Sequence, residues 1–267
     1  MENATLEINF NDISAYDKFL QNNFDDIINQ NFNRIIFHIK EESILRMQKI
    51  INEYFKDRKP LVIFYTNLNN SDYSKFDNIG IMIVNQNSNN IIVKDNIHNL
   101  IELNSKNINL ITSEINQEHN IILEPVIDIK NISEFINTMN LLFSKLDSKN
   151  INLNGFLMSS FLMREHPCNA YLCNGWKCGK KISCLPKHIY IDNLGNIYPH
   201  NLFFDKFLIG NISKNTLAKS LENYYDSKNY TTFIEYNKKV FIKYLTNYPY
   251  NLFPLIEFIR EEVENDK

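Results

Sequence analysis

Residues 32–55 read FNRIIFHIKEESILRMQKIINEYF, and residues 61–70 follow with LVIFYTNLNN. Arg34 to Ile39 is a compact apolar run of strand length. Ser43 to Phe55 then sets Ile44, Met47, Ile51, Tyr54 and Phe55 on one face at helical spacing. Pro60 breaks that helix, and Leu61 to Tyr65 is the next apolar strand. Strand, amphipathic helix and strand in this order point to a mostly parallel sheet with crossover helices.

The same alternation extends in both directions. Upstream, Leu6 to Phe10 (LEINF) is a short strand, followed by a helix over about Ala15 to Asn29. Downstream, strands are expected at Ile79 to Val84, Ile91 to Val93, Leu100 to Leu103, Ile108 to Thr112 and Ile121 to Ile127. Asn131 with Glu134 forms a capping pair ahead of a helix carrying Ile132, Phe135, Ile136, Met139, Phe143 and Leu146, and Asn152 to Met158 is the last strand of this run. Residues 1–160 are therefore expected to form one α/β domain, its sheet either open or curved into a partial barrel. Residues 161–267 form a second, Cys-rich region. It holds a hairpin with strands His188 to Asp192 and Asn196 to Pro199 around Leu194-Gly195, then helices over about 214–225, 231–245 and 252–264.

Composition sets limits. A chain of 267 residues with 44% hydrophobic and 22% charged residues can bury a sizeable core. The net charge of −3 gives no steering field toward nucleic acid or acidic lipid, so neither is an expected partner. No apolar run approaches the length that spans a bilayer, and the expected location is the cytoplasm. In that reducing compartment, four cysteines within residues 168–184 read as metal or cluster ligands or reactive thiols before they read as disulfides.

Those cysteines, Cys168, Cys173, Cys178 and Cys184, are spaced C-x4-C-x4-C-x5-C. This is not the paired C-x2-C spacing of a zinc ribbon, although a four-thiolate zinc site stays open as an alternative. Trp176 lies between the middle pair, and His166 and His200 are the candidate extra ligands. His38, His98 and His119 carry no expected role. Glu41 and Glu42 sit where a strand hands over to a helix; they either face a pocket at the strand ends or favour the helix dipole.

Cys168, Gly179 and Cys184 also give C-x10-G-x4-C, followed by HIYIDNLGNIYPH and LIGNISKNTLAKSLENY. This run of about 60 residues resembles the opening of the twitch or SPASM extension of radical S-adenosylmethionine enzymes. His200 stands where that family has a Cys, a replacement that iron can accept. The likeness continues into residues 32–70, where Thr66-Asn67 match the family's T-N-G, while Ile39-Lys40-Glu41-Glu42 replace its G-G-E-P. After LEINF, where the family carries C-x3-C-x2-C, residues 11–20 hold no cysteine.

The resemblance implies a partial (β/α) barrel of radical S-adenosylmethionine type with a Cys-rich, twitch-like hairpin and C-terminal helices. It implies a place in a ribosomal peptide maturation system. The expected role is that of a pseudoenzyme that binds a precursor peptide or a partner maturase at the strand ends, between Glu41-Glu42, Asn67 and the Cys168 to His200 hairpin. S-adenosylmethionine is not an expected cofactor. A [4Fe-4S] cluster, or zinc, on Cys168, Cys173, Cys178, Cys184 and His200 is. An iron–sulfur or zinc metalloenzyme with its active site in residues 168–184 is the alternative.

Overall fold

The computed structural model describes residues 5–30, 32, 34–56, 60–68, 73–77, 79–86, 91–117, 119–125, 132–146, 188–199, 207–225, 227–232 and 235–236. The chain is α/β, with strands that pair mostly in parallel. It divides into two compact units, residues 1–82 with 183–235, and residues 83–182 with 236–267. The boundary expected at residue 160, the strand expected over 152–158 and most of the last two helices lie outside the described residues.

The first unit begins with β1 (Thr5–Ile8), α1 (Ile13–Asn29), β2 (Arg34–His38), α2 (Ile44–Tyr54) and β3 (Leu61–Thr66), close to the expected bounds. The chain crosses into the second unit along β4 (Ile81–Gln86). That unit holds β5 (Ile97–Leu103), α3 (Ile108–Asn116), β6 (Ile121–Pro125) and α4 (Ile132–Lys145). On return, the first unit adds β7 (His188–Ile191), β8 (Asn196–Tyr198), β9 (Gly210–Asn211) and α5 (Leu217–Tyr225). Within it the strands run β3-β2-β1-β7-β8-β9, parallel through β7 and antiparallel beyond. The hairpin of the C-terminal region is thus continuous with this sheet, because β7 pairs residue by residue with β1.

Parallel register sorts the side chains of the first unit onto two faces. Leu6, Ile8, Ile35, Phe37 and Phe64 share one face and are fully buried. α1 covers an apolar face of its own with Tyr16, Phe19, Leu20 and Ile27, and α2 does so with Ile44, Met47, Ile50 and Ile51. Each large apolar side chain so buried contributes about 1.5–3 kcal/mol. Asp12 starts α1, its carboxylate accepting from Ala15 N at 2.9 Å. The start of α5 is capped from outside: Asn23 Oδ1 accepts from Leu217 N at 3.0 Å and Asp26 Oδ2 from Ala218 N at 2.8 Å, both from α1.

Two expectations fail in the second unit. Ile108 to Thr112 is the first half of helix α3, whose Ile108 and Ile111 enter a core with Ile101, Leu103, Ile121, Leu123, Met139 and Leu142. Ile91 to Val93 forms no strand. The Asn99 side chain takes the place of a ladder there, accepting from Ile92 N at 2.8 Å and donating to Ile92 O at 2.9 Å.

The hairpin turn depends on Asp192 and Gly195. Asp192 Oδ1 accepts from Leu194 N at 2.9 Å and from Asn196 N at 2.8 Å, while Gly195 adopts φ +78°. A Cβ on Gly195 would lie 2.7 Å from Ile212 Cγ1. Gly195→Ala is therefore expected to destabilise the first unit by roughly 1–3 kcal/mol, the sum of left-handed backbone strain and overpacking. Urea unfolding followed by far-ultraviolet circular dichroism measures it; an unchanged midpoint would show that the turn relaxes freely.

Candidate functional site

Because β1, β2 and β3 run parallel, their C-terminal ends lie together, and the segments that follow them, Asn9 to Asp12, Ile39 to Ser43 and Thr66-Asn67, border one cleft of about 660 Å³. Open α/β sheets bind ligands at such strand ends. Glu41, Glu42 and Asn67, singled out from the sequence, all line it. Glu41 and Glu42 open a single 3-10 turn (Glu41–Ser43) that leads into α2. Glu41 is ion-paired with Lys75 Nζ at 2.7 Å, while Glu42 is exposed. Tyr16 braces the floor: its hydroxyl accepts from Phe10 N at 2.9 Å and donates to the carbonyl of His38, tying the end of β1 to the end of β2.

The sheet face opposite the apolar one is polar where β2, β1 and β7 meet. Glu7, at the middle of β1, is only 6% exposed. Its Oε1 lies 2.6 Å from Nε2 of His38 on β2, and its Oε2 2.9 Å from Nε2 of His188 on β7. Register explains the meeting, since Glu7 pairs with Ile36 and Tyr190, and His38 and His188 lie two residues from those partners on the same face. Burial alone would raise the Glu7 pKa; the hydrogen bonds and charge of His188 and His38 outweigh it and hold the carboxyl far below the usual carboxylate range. Around this cluster the Tyr190 hydroxyl accepts from Asn9 Nδ2 at 3.1 Å, and burial, with the Glu7 charge adding to it, pushes its phenol up to about 12. The His38 ring packs on Tyr65 with centroids 4.7 Å apart.

His38 also lines the cleft, so the cluster and the cleft share a wall. Sequence reading assigned His38 no role and passed over Glu7 and His188. The available signal was one carboxylate inside an apolar strand, LEINF, which has to find a partner if it is buried.

Cys168, Cys173, Cys178, Cys184, His200, His166 and Trp176 lie outside the described residues. Among the described residues no group of three or more His, Cys, Asp or Glu side chains is arranged to hold a metal ion. No described helix is long and apolar enough to cross a membrane. At the place where the resemblance would put C-x3-C-x2-C, only four residues, Asn9 to Asp12, join β1 to α1, and Asp12 is occupied as the helix cap. Compared with known proteins, the sequence matches no family model and no curated protein.

A carboxylate whose folded pKa is depressed stabilises the fold above its unfolded value, about 4.3 for Glu, and loses that contribution as the pH falls toward the folded value. Glu7→Gln keeps the shape and removes the charge. It is expected to cost roughly 1–3 kcal/mol near neutral pH, by leaving an imidazole N–H facing an amide NH₂. The gap between the two proteins should narrow as the pH drops below about 4.3. Urea unfolding across pH tests this; a constant gap would place the effect in packing alone.

Proposed function

We propose that this protein is a radical S-adenosylmethionine-like scaffold, a partial (β/α) barrel without the family's cofactor chemistry, that binds a precursor peptide or a partner maturase of a ribosomal peptide maturation system. The observation that carries the reading is the cleft at the ends of β1, β2 and β3, bordered by Glu41, Glu42 and Asn67; the lack of cysteine in residues 11–20 supports it. A cleft of this size and mixed polarity suits a short peptide segment. In the family a peptide enters at this mouth.

The test is affinity capture with the tagged full chain, using the peptides and proteins encoded beside it. The expected outcome is retention of one peptide or one radical enzyme, with binding weakened about tenfold or more, ~1.4 kcal/mol, by the pair Glu41→Lys and Glu42→Lys. Capture of neither, or binding indifferent to the charge reversal, would count against the cleft.

The density of thiols in residues 168–184 supports a second reading, an iron–sulfur or zinc protein whose ligands are drawn from Cys168, Cys173, Cys178, Cys184 and His200. Metal bound there would add folding energy. Cys184→Ser is expected to lower the iron or zinc content of anaerobically purified protein severalfold. Unchanged metal in the Cys168→Ser, Cys184→Ser double variant would remove this reading.

A further inference from the structure

An ionised carboxylate only accepts hydrogen bonds, so each imidazole nitrogen in contact with it has to be the one that carries hydrogen. Glu7 gives Oε1 to His38 Nε2 at 2.6 Å and Oε2 to His188 Nε2 at 2.9 Å, one oxygen for each ring. In its neutral form His38 is then the Nε2–H tautomer, and Nδ1 keeps its lone pair. The ring is held by two further contacts: Tyr65 lies against it at 4.7 Å, and Tyr190 meets it edge-on with centroids 6.5 Å apart. The side chain nonetheless keeps 23% of its surface, on the wall of the cleft. His188, at the opposite end of the cluster, does not line the cleft and balances the second carboxylate oxygen.

We propose that His38 is the ligand-contacting residue of the cleft, its neutral form presenting an open Nδ1 lone pair to a hydrogen-bond donor of the bound molecule, specifically an amide N–H of an extended peptide. Glu7 is its positioning residue. The assignment rests on the peptide-binding reading for the identity of the donor, but the state of the ring does not. In that neutral form the fixed Nδ1 excludes ionised carboxylate oxygens as direct partners, because neither side would bring a hydrogen. It also gives the cleft a nucleophilic nitrogen that none of its other lining side chains offers at neutral pH.

Four measurements on the full chain test this. Long-range ¹H–¹⁵N spectra of the imidazoles at mildly alkaline pH, with His38→Asn for assignment, are expected to show His38 as the Nε2–H tautomer with an unprotonated Nδ1; the Nδ1–H tautomer overturns the proposal. Diethyl pyrocarbonate, which acylates only unprotonated accessible imidazole, is expected to label His38 in the native protein. Mass spectrometry locates the label, and protection of His38 in the native protein with full labelling after unfolding overturns the proposal. Glu7→Gln is expected to redistribute the His38 tautomers and Glu7→Asp to restore part of the wild-type pattern, neither of which a packing role would produce. Finally, N-acetyl-trialanine amide, an uncharged peptide that offers only amide groups, is expected to slow labelling of His38 severalfold. Labelling at an unchanged rate overturns the amide-donor assignment even where the tautomer is as stated, and so separates this inference from the capture experiment.

Discussion

A carboxylate sealed inside a sheet cannot be left without donors, and the first unit is arranged so that Glu7 has two. One comes from β2 and one from β7, on either side of β1, so the charge is solvated by neighbours that belong to the sheet itself. β7 is a short strand of four residues; His188 at its start gives it a polar reason to take the place beside β1 in addition to the apolar one supplied by Ile189 and Ile191. Moving the pairing by one residue would turn His188 to the other face and strand the carboxylate. The cluster therefore specifies register as well as stability.

On the opposite face the same strands are ordinary. Leu6, Ile8, Ile35, Phe37 and Phe64 are buried. Thr216 Oγ1 accepts from Lys219 N at 3.3 Å, and α1 lends Asn23 and Asp26 to the N–H groups of Leu217 and Ala218. Ser220 of α5 packs against Gly210 so closely that a Cβ there would approach Ser220 Oγ to 2.8 Å. The C-terminal part of the unit is thus attached twice to the N-terminal part, through the sheet by β7 and through the helix layer by α5.

Much of this was legible in the sequence wherever one period ran long enough. α1, β2, α2, β3 and the hairpin around Gly195 follow directly from apolar spacing and turn chemistry. Ile108 to Thr112 failed because five residues do not distinguish a strand from the first turn and a half of a helix, and the deciding residue, Ile115, lies beyond that window. Ile91 to Val93 failed because a buried Asn99 side chain satisfied the Ile92 backbone in place of a neighbouring strand. At the site, Glu41, Glu42 and Asn67 were visible because strand ends are where α/β folds gather ligands. Glu7, His38 and His188 were not, because their relation is made only by the pairing of strands that place Glu7 beside residues 31 and 181 positions away.

The separation between β1 and β7 also orders events in time. A ribosome adding about 5–20 residues per second delivers residue 188 roughly 10–40 s after residue 7. Once β2 has been made and until β7 follows, a β1–β2 pair has an open hydrogen-bonding edge on the β7 side, and Glu7 has one imidazole within reach instead of two. An open edge invites pairing with a second chain, but a half-satisfied carboxylate on it resists being buried by an apolar stranger. The group that locks the finished sheet thus serves earlier as a guard on the nascent one, keeping the place of β7 vacant until β7 is made.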